Sequence, residues 1–432
     1  MNTLLPRQEP GRSILLPCLL LFGAMFNLTL VVAGLKELII EELGGSLADA
    51  GLFFSVETFA YLIFAPVWGV VSDRAGVRKP FIIAGFAGSA LIYGLYGLVE
   101  SVPLLLGMRF LQGAVTVMGW SLVMAIVVDH PRFGRVGRYM GLMGASLIFG
   151  VALGAPMGGY ITRWAGARAP LTAAAVSFVV LTLAALALRE PSEHRRRTRL
   201  GEIAAALAAR PRLLLPLGFH FVDRLAVGLF VVVFPLYLDS LGAEDPAVRG
   251  RYLSFFLLPF ALLQYFTGRL SERSGPYLPL LVGSALYGAL LATVGYTGTD
   301  LLWAVMLGLG ILASVMFPPA ILLTSSLSDP RSRGSAVGGF NLAGSLGFAV
   351  GPIFGTWAYG EGGFALAFLL CGAAEVLLAM VGVLIVLRWR ARDGAAADAT
   401  PVPFPGEAAA AATVAGGEPD ELAAGGKRPR GG

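Results

Sequence analysis

Apolar residues run along the chain in long blocks that short polar breaks separate. A helix needs roughly 20 apolar residues to cross the hydrocarbon core of a bilayer. Twelve blocks reach that length, and the breaks between them carry proline, glycine or charge, so the pattern predicts twelve membrane-spanning helices. The predicted spans are residues 14–40, 50–72, 80–99, 103–129, 138–163, 169–188, 213–239, 251–271, 277–299, 301–327, 335–359 and 363–389.

The composition agrees with an all-α membrane protein and excludes several other classes. Hydrophobic residues make up 56% of the 432 residues and charged residues 14%, against roughly 45–50% and about 25% in soluble proteins. Soluble, disordered and collagen-like chains do not have this balance. The apolar run after Arg12 is longer than the core of a signal peptide and no small-residue cleavage site follows it, so we expect the first span to remain in the mature protein.

Basic residues fall almost entirely in one set of loops and at the two ends of the chain. The alternate loops hold only Arg163, Arg168, Arg249 and Arg251. Because basic loops stay on the cytoplasmic side of a membrane, we expect both termini and the long loop 189–212 to be cytoplasmic. The chain is then an integral protein of the plasma membrane, and its excess of arginine over lysine is typical of a GC-rich bacterium, which places it in an inner membrane.

No pattern in the sequence indicates an enzyme, a cofactor or a metal site. Cys18 and Cys371 each lie in an apolar block, and the three histidines are scattered. The phosphate-binding pattern G-x-x-x-x-G-K-[ST] does not occur, which excludes an ATP-driven pump. We expect no nucleic-acid binding despite the net charge of +5, because the basic residues lie in loops beside a membrane.

The sequence repeats itself at about half its length. Three pairs of segments match in the same order: residues 69–76 with 268–275, 129–132 with 328–331, and 154–159 with 350–355. We therefore predict two pseudo-symmetric bundles of six helices. The predicted domains are a first bundle at 1–188, a basic cytoplasmic linker at 189–212, a second bundle at 213–392 and a disordered cytoplasmic tail at 393–432.

Three motifs in these segments resemble those of the major facilitator superfamily of transporters. The first is the loop between the second and third spans, where Val77 departs from the family pattern. The second is R-x-x-Q-G in the fourth span, and the third resembles the helix-packing motif of drug:proton antiporters, with Ala155 in place of a usual glycine. The motif residues are Gly69, Asp73, Arg74, Gly76, Arg78 and Lys79 in the loop, Arg109, Gln112 and Gly113 in the fourth span, and Gly154, Pro156, Gly158 and Gly159, echoed by Gly351 and Pro352, in the packing motif.

The resemblance implies a gating role for the loop motif. In the family, the aspartate corresponding to Asp73 approaches the start of the eleventh span, whose N-terminal dipole favours an anion. Arg78 would pair with Asp129, and Glu272 with Arg273 would form a weaker counterpart in the second half. The alternative is an ordinary tight turn with basic residues at the membrane surface.

Charged residues inside the predicted spans are the candidates for proton or substrate binding, because each is costly in a membrane. Glu57 and Arg109 lie at similar depth and would form either a coupling site or a fixed ion pair. The seventh span carries three polar residues within one helical turn, and Glu375 in the twelfth span has no evident partner. The candidates are Glu57, Arg109, Gln112, His220, Asp223, Arg224, Glu375 and Asn27.

The resemblance implies a secondary transporter that works by alternating access, without a cofactor. We expect a monomer that binds a small-molecule substrate, protons and membrane lipid. The favoured function is proton-coupled efflux of a small, largely apolar compound. Proton-coupled import of a small organic anion, with Arg109 and Arg224 as anion contacts, is the alternative. A non-transporting receptor or scaffold is a third possibility.

Overall fold

The computed structural model describes residues 12–129, 136–189, 200–329 and 332–393, and within these ranges it contains helices and no strands. Six helices form the first half: α1 (Arg12–Leu30), α2 (Leu47–Ala75), α3 (Lys79–Leu95), α4 (Val102–Asp129), α5 (Val136–Ala165) and α6 (Ala169–Ala185). After α1 the chain continues as a short 3₁₀ turn at Val32–Gly34 and a π-helical segment at Lys36–Glu42.

The second half begins with a short helix in the predicted linker and continues with five longer helices. They are α7 (Leu200–Ala209), α8 (Leu214–Ser240), α9 (Pro246–Ser274), α10 (Tyr277–Thr293), α11 (Thr299–Leu327) and α12 (Arg333–Asp393). The backbone of α12 is not helical at Gly362 and Gly363, where Gly363 has a φ of 71°. This break divides α12 into a first and a second part, which correspond to the eleventh and twelfth predicted spans.

The prediction of an all-α membrane protein with twelve spans is confirmed. Each predicted span coincides with a long apolar helix, with the apolar 17-residue helix Ala169–Ala185, or with one part of α12. Local signals define several helix ends. Ser46 caps α2 and exchanges hydrogen bonds with Asp49, and Asp245 caps α9 by accepting a hydrogen bond from Ala247 N at 2.9 Å.

The two halves repeat the same helix pairing. In the first half α1 packs on α5, α2 on α4, and α3 on α6. In the second half α9 packs on α11, α8 on the first part of α12, and α10 on the second part of α12. The halves meet where α5 packs on α9, and where Phe54 of α2 contacts Phe348 of α12 with ring centroids 5.2 Å apart.

The chain packs as one unit through Gly382, and the helical end of α12 from Val383 belongs to a second unit. Within the first unit, the connection between α1 and α2 lies at the end of the bundle that the charge pattern predicts to face outside the cell. We call this the outer end. The end that carries the connection between α2 and α3 is the inner end. The assignment of residues to a linker and a tail stays a prediction.

Candidate functional site

The loop between α2 and α3 is a tight turn closed by an ion pair. Gly76 ends α2 with a φ of 66°, a left-handed conformation that favours glycine, and its N–H donates to the carbonyl oxygen of Asp73. Arg78 Nη2 donates to Asp73 Oδ1 at 2.9 Å, and the Arg78 side chain is buried while that of Asp73 is 27% exposed. The predicted approach of Asp73 to the start of the eleventh span stays a prediction.

The remaining residues of the loop motif have different surroundings. Lys79 Nζ donates to the carbonyl oxygen of Leu186 at 2.7 Å, which joins the loop to the end of α6. Gly69 is buried in α2, and Arg74 is exposed. The side chain of Asp129 lies outside the described residues, and so does its predicted contact with Arg78.

In the second half, the charged residues that correspond to the loop between α2 and α3 are exposed. Glu272 and Arg273 are exposed near the end of α9, and within the described part of the chain neither forms an ion pair. Their predicted role as a second gating contact stays a prediction.

Glu57 and Arg109 form an ion pair in the core of the first half. The contact is between Glu57 Oε2 of α2 and Arg109 Nη2 of α4, and both residues have no exposed surface. Tyr61 donates to Glu57 Oε1 at 2.6 Å, and Arg109 donates to the Tyr93 hydroxyl at 3.0 Å. The guanidinium also lies 4.3 Å from the ring centroid of Phe53. The two charges are therefore neutralised and held by their neighbours.

This network continues along α4 toward the inner end. Arg109 Nη1 donates to Gln112 Oε1 at 2.9 Å, and Gln112 Nε2 donates to Thr116 Oγ1 at 2.7 Å. The hydroxyls of Thr116 and Ser89 lie 2.7 Å apart, which joins α4 to α3. Gln112 thus orients Arg109 within the core. Asn27 lies apart from this network and donates to Ser177 Oγ at 2.9 Å, between α1 and α6.

The predicted packing motif brings helix backbones into close contact. A β-carbon at Gly158 would overlap the carbonyl of Leu30, and one at Gly154 would overlap that of Phe26, so α5 approaches α1 only because both residues are glycines. Gly159 packs in the same way on Pro246 of α9.

Glycines allow close contact in the same way at two further helix interfaces. A β-carbon at Gly250 of α9 would lie 2.8 Å from the Cα atom of Pro156, between the halves. Gly351 packs on the carbonyl of Leu225 in α8, and a β-carbon at Gly228 would lie 3.0 Å from Pro352 Cδ.

The polar residues of α8 lie on one helical turn but do not form a single network. Arg224 Nε lies 3.5 Å from Asp223 Oδ2, and its guanidinium lies 5.1 Å from the ring centroid of Phe317. His220 stacks on Phe340 with centroids 3.8 Å apart, and among the described residues it forms no hydrogen bond with Asp223 or Arg224. A small cavity beside this turn is lined by Phe219, His220, Asp223, Leu280, Met316, Phe317 and Ala320.

Glu375 lies fully buried in the second part of α12. Its partner, which the sequence did not indicate, is Ser284 of α10, whose hydroxyl donates to Glu375 Oε2. The other carboxylate oxygen, Oε1, has no hydrogen-bond partner, and neither does the buried hydroxyl of Tyr287.

An ionic cluster at the outer end, which sequence reasoning missed, joins the two halves. Arg249 of α9 is 1% exposed, donates to Asp239 Oδ1 at 3.0 Å and pairs with Glu37. Lys36 Nζ lies 2.9 Å from the same Asp239 oxygen and 3.0 Å from Glu41. These five residues are called the outer ionic cluster. Lys36 is thereby paired with one carboxylate of each half.

A second ion pair between the halves lies beside the outer ionic cluster. Arg163 Nη1, at the end of α5, lies 3.0 Å from Asp245 Oδ2, at the start of α9. The sequence feature that could have indicated these ion pairs is the presence of Arg163 and Arg249 in loops that otherwise hold few basic residues.

Comparison with known proteins identifies the family. Residues 17–244 and 217–412 match the model described as Major Facilitator Superfamily. The multidrug resistance protein MdtG of Klebsiella pneumoniae is 24% identical over 382 residues, which cover 85% of this chain and 91% of that protein. The multi-drug resistance efflux pump PmrA of Streptococcus pneumoniae is 24% identical over 77% of this chain and 85% of its own length.

Solved transporter structures share the fold. A bacterial homologue of the human lysosomal transporter Spinster, inward-facing and occupied, aligns with a TM-score of 0.73 at 17% identity over 87% of this chain and 97% of that one. The nucleoside transporter NupG aligns with a TM-score of 0.70 at 14% identity over 87% of this chain and 99% of that one. With two family matches that together span both halves, the chain belongs to the major facilitator superfamily and is a membrane transporter of small molecules.

Proposed function

We propose that this transporter exports small, largely apolar compounds in exchange for protons, by alternating access, in the inner membrane of a bacterium. The observation that carries the proposal is the contrast between the two buried charge sites. Glu57 and Arg109 neutralise each other in the first half, while Glu375 in the second half has no basic partner among the described residues. A carboxylate without a cation in a dry interior is suited to bind and release a proton.

The contacts between the halves support alternating access. In the described residues, the ion pairs that join the halves are those of the outer ionic cluster and the Arg163–Asp245 pair, all at the outer end. Two halves that rock against each other need contacts that form in one state and break in the other. These ion pairs fit a state that is closed to the outside, and they would break when the transporter opens outward.

The relatives support the substrate class. Two bacterial relatives are named as multidrug resistance proteins, and a human relative, 24% identical over 77% of this chain and 65% of its own length, is named synaptic vesicular amine transporter. We expect the substrate site between the halves to be mostly apolar, as ligand pockets generally are, which suits apolar compounds.

Import of an organic anion has less support from the arrangement of the arginines. Arg109 is fully buried and already paired with Glu57, so its charge is not free to meet a substrate anion. Arg224 is 20% exposed but lies beside the carboxylate of Asp223, which opposes an anion. The sign of the substrate's charge separates the two functions.

The test is a transport assay with probes of matched size and different charge. Inside-out membrane vesicles that contain the protein are energised to become acidic inside, and uptake of ethidium, a neutral naphthylamine dye and an aromatic carboxylate is followed. We expect the vesicles to accumulate ethidium or the neutral dye, and a protonophore to abolish this uptake. Transport of the aromatic carboxylate alone would contradict the proposed substrate class.

The proposed orientation has a separate test. Single cysteines are placed at Ser192, in the tail and at Glu100, and intact cells are treated with a membrane-impermeant thiol reagent. Glu100 is an exposed residue between α3 and α4. We expect labelling at Glu100 only, and labelling of Ser192 from outside would overturn the orientation.

A further inference from the structure

The second half contains a buried polar cluster of four residues from three helices. Glu375 accepts a hydrogen bond from Ser284 of α10. Tyr287 lies one turn after Ser284 on the same helix. Asp223 of α8 lines a cavity together with Leu280, which lies one turn before Ser284. These residues, Glu375, Ser284, Tyr287 and Asp223, are called the Glu375 cluster. Each is at least nine-tenths buried. The cluster reaches the small cavity beside α8 through Asp223, which lines it.

Three polar atoms of the Glu375 cluster have no hydrogen-bond partner. They are Glu375 Oε1, Asp223 Oδ2 and the Tyr287 hydroxyl oxygen. Arg224 Nε lies 3.5 Å from Asp223 Oδ2, and His220 lines the same cavity as Asp223. Most buried polar groups in proteins are hydrogen-bonded. A buried carboxylate oxygen that accepts no hydrogen bond is stabilised when the carboxyl group takes up a proton and becomes neutral.

The first half shows that the fold does not need a carboxylate at this place. The left-handed glycines Gly166 and Gly363 precede α6 and the second part of α12. The separation in sequence between Gly166 and Phe178 equals that between Gly363 and Glu375. The position of Glu375 in the second half is therefore held by a phenylalanine in the first half.

The position of Ser284, the hydrogen-bond partner of Glu375, is also apolar in the first half. Phe86 in α3 and Ser284 in α10 lie equally far from the first residue of their helices. Phe86 and Phe178 contact each other with ring centroids 6.1 Å apart. An apolar ring contact thus fills the place that the Ser284–Glu375 hydrogen bond takes in the second half, so packing alone does not account for Glu375.

The position of Glu57 shows the opposite difference, because here the first half carries the charged residue and the second half an apolar one. Gly113 packs on the carbonyl of Glu57, and the matching glycine of α11, Gly310, packs on the carbonyl of Phe256. Phe256 therefore holds the place of Glu57 in the second half. Each half carries its own buried charge site, and only that of the second half is left without a matched cation in the described residues.

The groups that face Glu375 set its chemistry. Ser284 donates to it, Cys371 and Tyr287 are neutral polar neighbours, Asp223 adds a second negative charge, and Arg224 is nearer to Asp223 than to Glu375. With one arginine for two carboxylates, an ionised Glu375 is an uncompensated charge in a dry site, which is energetically unfavourable.

We propose that Glu375 is the proton-binding residue of this transporter, with Ser284 as its positioning residue and Asp223 as its link to the cavity. The proposal rests on the proposed proton-coupled function. A proton from water binds the carboxylate to form a neutral carboxylic acid, and the same O–H bond breaks when water on the other side accepts the proton. No other bond forms or breaks.

Infrared spectroscopy tests the proposal without a transport substrate. The purified protein is titrated from about pH 5 to about pH 9, a range that brackets working pH, and the carbonyl stretch of protonated carboxyl groups is recorded in water and in heavy water. The variants are Glu375→Gln, Ser284→Ala and the matched control Glu100→Gln, which makes the same change at an exposed glutamate. Size-exclusion chromatography checks that each variant is folded.

We expect a carboxyl band that decreases as the pH rises, is lost in Glu375→Gln, remains in Glu100→Gln and shifts in Ser284→Ala because a hydrogen bond to the carboxyl group is lost. A band that persists in Glu375→Gln, or one that is constant over the whole range, overturns the proposal. If Glu375→Gln does not fold, the band shift in Ser284→Ala decides in its place, and an unshifted band overturns it.

A transport measurement separates this proposal from the function on which it rests. In acid-inside vesicles, we expect ethidium accumulation by Glu375→Gln to fall to the level of vesicles without a gradient. If the parent protein does not transport ethidium or the other probes, the proposed function is refuted, while the infrared result still decides whether Glu375 binds a proton.

Discussion

Removing Arg249 should open the transporter to the outside. Arg249→Met keeps the apolar stem of the side chain but removes the cation between Glu37 and Asp239. Hydrogen bonds to charged groups contribute about 1.5–3 kcal/mol each. Because Glu37 and Asp239 are 18% and 20% exposed, we take the lower value for both contacts. The loss of about 3 kcal/mol shifts the balance toward the outward-open state by about a hundredfold.

The assay is the labelling rate of a cysteine that only outward opening exposes. Thr356 in the first part of α12 is 8% exposed and lies against Gly51 of α2, so Thr356→Cys reports separation of the halves. The buried native cysteines Cys18 and Cys371 are first replaced by alanine. With a membrane-impermeant reagent outside, we expect Arg249→Met to raise the labelling rate by up to about a hundredfold.

Arg168 provides the matched control. It also lies at the outer end and is engaged, donating to Glu42 Oε2 at 2.9 Å and to the carbonyl of Gly97 at 2.8 Å, but both partners belong to the first half. Arg168→Met should lower stability without raising the labelling of Thr356→Cys. Unchanged labelling in Arg249→Met, or an equal rise in Arg168→Met, would refute the reasoning that the outer ionic cluster holds the halves together.

Three further predictions concern the other sites. Asp73→Asn should express normally but export ethidium several-fold more slowly, because its carboxylate is lost from the loop ion pair; full activity would mean that the motif is only a turn. Gly158→Ala should lower the free energy of unfolding by about 3 kcal/mol or more, since its β-carbon meets a backbone carbonyl. Gly144→Ala in the same helix, with open space around it, should be neutral or stabilising by up to about 1 kcal/mol, and equal thermal unfolding of the two would contradict the packing argument. Glu57→Gln should cost about 3–5 kcal/mol by leaving a buried charge unpaired, and adding Arg109→Met should recover part of this loss in a denaturation series. A double variant no more stable than Glu57→Gln would argue against a fixed ion pair.

The spans were predictable from the sequence because crossing a membrane is a local requirement on length and hydropathy. The break in α12 at Gly362 and Gly363 falls at the boundary between the predicted spans 335–359 and 363–389. The short helix α7 was not predicted, because ten alanine-rich residues inside a basic loop do not reach the length of a span.

The candidate sites were predictable only in part, because hydropathy marks a buried charge but does not name its partner. Glu57 and Arg109 were recognisable as a possible pair by depth alone. Ser284 was not recognisable as the partner of Glu375, since a serine in an apolar helix is an unremarkable residue and the two are 91 positions apart. The outer ionic cluster was missed for the same reason, as Glu37 and Arg249 are 212 positions apart.

The central claim, that this transporter uses protons to export apolar compounds, is tested most directly in proteoliposomes that contain only the purified protein. Ethidium or the neutral dye, whichever the vesicles accumulate, is added outside, and its accumulation is measured with the interior acidic, with the interior alkaline and with no pH gradient. The account predicts accumulation only with the interior acidic, reaching up to about tenfold for one proton and one pH unit, and its collapse when nigericin dissipates the gradient. Equal uptake of that probe under all three conditions would contradict proton coupling.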